Sequence, residues 1–210
     1  MRRLLMAAAT LGFVVGAGLV VTPPSFASTT CDDAATPIAA GSTVSGNVVV
    51  PAGKTCDLTN VTVTGGITVQ AGGILRVLGS GNRVGGNINS NSANEIRLDN
   101  ATVGGNVTLT GTNTQLSFVC GSQISGGLTV TQSTVSFTIG GHGGVCTAGN
   151  TVGGSITFNN NTTADISDNK IGNALYCSGN APPPTGSGNT AGSHTGPNNN
   201  GLNGQCSTFS

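Results

Sequence analysis

From Val44 onward the chain keeps returning to one short pattern, [VI]-x-G followed by alternating apolar and polar positions. The segments are VSGNVVV at Val44, VTGGITV at Val63, VGGNINS at Val84, VGGNVTL at Val103, ISGGLTV at Ile124, VGGSITF at Val152 and a looser IGNALYC at Ile171. Successive starts lie 19, 21, 19, 21, 28 and 19 residues apart. A near-constant period of about 20 marks a repeat protein.

Within each segment the first and fifth residues are aliphatic in nearly every repeat, and the seventh is usually large and apolar: Val50, Val69, Leu109, Val130, Phe158. Alternation of period two predicts a strand with one face buried. A second apolar pair follows in most repeats, as in Ile74 and Val77, Ile96 and Leu98, Leu116 and Phe118, Val135 and Phe137. Each repeat therefore carries at least two short strands, with glycines at the corners between them supplying positive φ. The density of Gly, Thr, Val and Asn and the absence of a 3.6-residue pattern argue against helix.

Strands joined by tight corners and repeated at a fixed period predict an all-β fold, a single-stranded parallel β-helix of about seven turns of 19–21 residues. With roughly 4.8 Å between stacked turns, the rod would be about 30 Å long. An antiparallel sandwich also has many short strands, but gives no reason for one signature to return at this interval. A right-handed coil is expected from the preference of parallel crossovers.

The flanks divide the chain further. Residues 1–27 carry two arginines, an apolar run from Leu4 to Val21 and small residues at Ser25 and Ala27. They read as a secretory signal cleaved after Ala27, an uncleaved membrane anchor being the competing reading. Residues 28–43 form an N-terminal cap, residues 44–177 the β-helix, and residues 178–210 a Gly-, Pro- and Asn-rich tail too polar and broken for another full turn. After signal cleavage no membrane association is expected. No leucine stands three residues before Cys31, so a lipid attachment is not indicated.

Composition narrows the functional classes. The chain has 210 residues with 35 Gly, 7% charged, 3% aromatic, no Trp and zero formal net charge, so neither a nucleic-acid footprint nor a strongly charged partner surface is indicated. Six cysteines, Cys31, Cys56, Cys120, Cys146, Cys177 and Cys206, in an exported chain favour disulfides, and without a CxxC pair a zinc site has little support. No metal or cofactor is expected. Sequence leaves fifteen connectivities open. Cys120 and Cys146 fall near the same corner of successive turns, which predicts their pairing. Cys177 with Cys206 would close the tail, and Cys31 with Cys56 would pin the cap.

The [VI]xGN repeats, the PAGKTCDL segment and the terminal CSGNAPPPTGSGN followed by GQC resemble a group of small exported bacterial proteins with right-handed β-helices and no assigned function. The resemblance covers most of the chain after residue 27 and implies the architecture alone. It assigns no catalytic residue.

Three features invite a functional reading. GHG at Gly141 to Gly143 is similar to the histidine motif of polygalacturonases, but the adjacent acidic pair Asp32 and Asp33 lies far away in sequence and no Arg-Ile-Lys segment exists. Arg76 and Arg97 occupy one repeat position, with Glu95 and Asp99 two residues from Arg97, so a lyase-like site on one wall competes with a solvated charge cluster. The third is a polar ladder. The sixth motif position runs Thr68, Asn89, Thr108, Thr129, Thr157 and the eighth runs Gln70, Asn91, Thr110, Thr131, Asn159. Residues two apart share a face, so these ten should line one flat outer wall. Threonine is also the ordinary outward residue of a strand. The expectation is a non-enzymatic secreted surface or matrix solenoid that binds cell-surface or extracellular polysaccharide through this wall. An ice-binding protein using the same wall and a polysaccharide lyase or glycoside hydrolase are the alternatives.

Overall fold

A computed structural model describes residues 27–141, 143–144, 146–193, 196, 198 and 200–210. The chain is a parallel β-solenoid, and every strand pairing between turns is parallel. Among the described residues the strands form three sheets, each one wall of the coil. The long wall has nine strands, from Thr29–Thr30 through Val48–Val50, Ile67–Val69, Ile88–Asn91, Val107–Thr110, Leu128–Thr131, Ile156–Asn159 and Leu175–Ser178 to Leu202–Gly204. The charged wall has six, from Thr55–Leu58 to Ala164–Ser167, and the narrow wall eight two-residue strands, from Thr43–Val44 to Thr190–Ala191. Among the described residues no helix is long and apolar enough to cross a membrane.

Inward positions stack in columns. Val48, Ile67, Ile88, Val107, Leu128, Ile156, Leu175 and Leu202 follow one another on the long wall, all buried. Aliphatic residues therefore fill a narrow core with few aromatics, because each turn needs only side chains long enough to meet at the axis. The [VI]xGN signature has a separate cause. Asn47, Asn87 and Asn106 each accept the backbone N–H of the following turn's equivalent residue, at 2.8, 2.7 and 2.8 Å. The glycine before the asparagine leaves no space for a side chain: a Cβ at Gly105 would lie 2.1 Å from Asn87 Oδ1.

One corner, three residues before most motifs, requires the left-handed region. Asn60 and Asn100 adopt φ of 54° and 53°, and Gly81 and Gly121 take the intervening places at 96° and 57°. Gly and Asn are the residues that enter this region readily.

The tail departs from expectation. Thr190–Ala191 pairs with Lys170–Ile171, Leu202–Gly204 pairs with Leu175–Ser178, and Thr185 bridges Asp165, so residues beyond 178 complete an eighth turn. Composition misled because Asn180 and Asn189 face inward and are satisfied there, and because Ala191 stands where Val or Ile begins the other motifs. Phe209 then buries its ring at the end of the core.

Three disulfides join Cys31 to Cys56, Cys120 to Cys146 and Cys177 to Cys206, with Cα separations of 5.4, 5.5 and 5.4 Å. They point to an oxidising, extracellular environment. The middle pair is not made by stacked equivalents. Val119 pairs with Ile139, the chain leaves the coil after Gly140, and it returns at Ala148, whose carbonyl accepts Gly121 N–H. Cys146 lies on this excursion, which accounts for the 28-residue interval.

Candidate functional site

The ten predicted wall residues stand together on the outer face of the long wall. The sixth-position column runs Thr68, Asn89, Thr108, Thr129, Thr157 through successive Cα partners. Inward neighbours such as Ile67, Val69, Val107 and Leu109 are buried, so alternation fixes the outward direction of this column. None of these five side chains forms a hydrogen bond with a described residue. A shallow polar depression bounded by Asn47, Gly66, Asn87 and Asn89 flanks the column in the early turns.

The eighth-position column is partly engaged. Gln70 Oε1 accepts Ala52 N–H at 3.2 Å, Asn159 Oδ1 accepts Ser178 N–H at 2.9 Å, and the Thr110 and Thr131 hydroxyls lie 3.4 Å apart. Asn91 accepts the Ser92 hydroxyl at 3.2 Å. This column therefore stiffens the wall, while the sixth offers donors and acceptors outward.

The column is longer than the repeats at Val63 to Val152 suggest. Val49 precedes Thr68, and Tyr176 and then Asn203 follow Thr157. The one tyrosine of the chain thus stands on the wall, 42% exposed. Counting to the sixth residue of IGNALYC finds it. The degenerate glycines of that motif concealed it, and the wall therefore carries an aromatic residue beyond the ten predicted positions.

Arg76 and Arg97 are Cα partners on adjacent strands of the charged wall. The solvated reading of their cluster is wrong in one respect: Glu95 is wholly buried. Its Oε1 lies 2.5 Å from Arg76 Nε and 2.8 Å from Arg97 Nε, the second an ion pair without hydrogen-bond alignment. Arg97 also lies 5.7 Å from the Phe118 ring centroid. Phe118 packs with Leu78 and the Cys120–Cys146 bridge in a small cluster outside the main core. The guanidinium of Arg76 is raised above its ordinary pKa, chiefly by the Glu95 hydrogen bond, with burial opposing. Asp57 is raised, chiefly by burial, with Arg76 opposing from 3.6 Å. A carboxylate enclosed by two arginines is poorly placed to exchange protons with a substrate.

The two acids of the N-terminal cap have local duties. Asp32 forms an ion pair with Lys54 at 3.0 Å, a hydrogen bond that is the main cause of its lowered pKa. Asp33 accepts the Asp57 N–H with both oxygens, at 3.2 and 3.0 Å, covering the free edge of the first charged-wall strand. The acidic pair is a cap that blunts a sheet edge. His142 of the GHG motif lies outside the described residues. Among the described residues no group of three or more His, Cys, Asp or Glu is placed to hold a metal ion.

Comparison with protein families, curated proteins and solved structures finds no match to this chain.

Proposed function

We propose that the protein is a non-enzymatic, secreted surface or matrix solenoid that holds an extracellular polysaccharide along its long wall. The observation that carries this reading is the sixth-position column from Thr68 to Thr157, whose outward hydroxyl and amide side chains form no hydrogen bond with a described residue and recur from turn to turn. A sugar polymer presents hydroxyls at a regular interval, and a regular array of donors and acceptors can meet several at once. Avidity along the rod then compensates for weak individual contacts. The signal-like first segment, the three disulfides and the motif resemblance to exported bacterial solenoids support the assignment outside the cell.

The test is co-sedimentation with insoluble cell-wall polysaccharides, comparing the native chain with a Thr108→Lys, Thr129→Lys double variant. Retention of the native protein and its loss in the variant, at an unchanged melting temperature, are the expected result. Release of sugar products would replace this reading with an enzymatic one. Thermal hysteresis on freezing, without polysaccharide retention, would replace it with ice binding.

A further inference from the structure

We infer that Tyr176 is the anchoring platform of the long wall and that its ligand is a neutral sugar polymer lying across the strands, along the rod axis. The inference rests on the wall being the ligand surface. It adds where binding is strongest and which chemical class is bound.

Two observations converge. The first is position. Tyr176 continues the sixth-position column between Thr157 and Asn203, and its hydroxyl takes no hydrogen bond from a described residue. The ring stands next to the short Thr157 side chain and is 42% exposed. An exposed aromatic of this kind has an apolar face and a polar tip, which suits the alternating C–H and O–H faces of a pyranose ring. The wall to one side supplies hydroxyls and amides for the next sugars at each strand spacing.

The second is charge. The sixth- and eighth-position columns, from Thr68 to Tyr176, contain no Asp, Glu, Lys or Arg. Arg76, Glu95 and Arg97 belong to the charged wall, and Arg83 and Lys170 to the narrow wall. A uronic or sulfated polymer would find no counter-charge along this surface, and a polyamine no carboxylate. An uncharged polymer loses nothing by the match.

The chain has one Tyr and no Trp, so its intrinsic near-ultraviolet fluorescence reports on Tyr176 almost alone. Titration with cellohexaose and chitohexaose as neutral probes and hexagalacturonate as an acidic one provides the test. A saturable change with a neutral probe and none with the acidic probe is expected. Tyr176→Ala should weaken retention on the matching insoluble polysaccharide about tenfold, and Tyr176→Phe should keep it within about twofold. The double lysine variant separates the two levels of failure. If it abolishes retention while Tyr176→Ala binds like the native chain, the wall stands and the anchor is refuted. If native protein binds only hexagalacturonate, the neutral class is refuted. If Tyr176→Ala instead changes only self-association in sedimentation velocity, the wall is an interface between copies and both readings fall. Retention equal in all variants refutes the wall itself.

Discussion

The early and late turns solve the same corner problem with different chemistry. Two residues before each motif the chain bends inward, and the occupants run Val61, Asn82, Ala101, Ser122, Asn150, Asn169, Asn189. In the early turns they are mostly apolar or small. In the late turns they form an unbroken ladder: Asn169 Oδ1 accepts Asn150 N–H at 3.1 Å and Asn150 Nδ2 at 2.9 Å, and Asn189 Oδ1 receives the same pair from Asn169. Each amide also donates to a carbonyl of an earlier strand, Val119 for Asn150 and Ile139 for Asn169. A parallel ladder follows a second corner, through Asn161, Asn180 and Gln205. The outside reverses this trend. In one outward column of the charged wall the early turns carry Asp57, Arg76 and Arg97, whereas the later ones carry Phe118, Thr138 and a single charge at Asp165. A buried backbone N–H must find a partner, and the late turns of this solenoid meet that demand with side-chain amides.

The largest effect should come from breaking the continuous ladder. Asn169→Leu keeps the approximate volume but strands groups on both neighbouring turns, so a loss of about 4 kcal/mol is expected. Asn82 works alone, accepting Val61 N–H at 3.0 Å and donating to the Leu78 and Gly79 carbonyls. Asn82→Leu should cost about 2 kcal/mol. Urea unfolding of the two variants with disulfides intact measures both. Equal losses would mean that the ladder has no cooperativity and that the contrast between regions is one of composition alone.

This contrast also explains what sequence could and could not disclose. Period, strand alternation and the outer Thr/Asn columns are legible because Val, Ile and Leu at fixed offsets declare the inward face. The fold class follows from them. Asn150, Asn169 and Asn189 were not legible as core, since asparagine in a Gly-rich segment ordinarily signals a surface turn, and only stacking shows which backbone groups its amide serves. The eighth turn was lost for the same reason, with Ala191 hiding its start. Glu95 looked solvated because repeat position aligns Arg76 with Arg97 but does not show that both fold over it. Tyr176 was in register and simply lay beyond the clear motifs.

A gain should follow from removing a polar group that no ladder serves. Ser90 occupies the inward column between Val69 and Leu109, and its buried hydroxyl has no hydrogen-bond partner among the described residues. In the late turns the same column holds Val130, Phe158 and Cys177, so the early region tolerates an orphan that the late region avoids. Ser90→Ala removes the uncompensated hydroxyl without adding volume and should stabilise by about 1 kcal/mol. Destabilisation in the same unfolding assay would show that Ser90 has a partner, such as a bound water.

The smallest effect concerns the charged exterior of the early turns and carries a definite sign with pH. Asp57 has its carboxyl pKa raised in the folded chain, chiefly by burial, and Arg76 and Arg97 only partly offset this. Because the folded state holds the proton more tightly than the unfolded chain, this group favours folding most when protonated. Its contribution is lost as pH rises through the folded pKa. An asparagine side chain resembles the protonated acid at every pH, so Asp57→Asn should be slightly more stable than the native chain at pH 7. With half of that side chain in solvent, screening limits the gain to about a few tenths of a kcal/mol. The two proteins should converge as pH falls below the ordinary aspartate range. Melting curves at a series of pH values decide it: a variant less stable at pH 7 would mean that the Arg76 ion pair outweighs burial at this position.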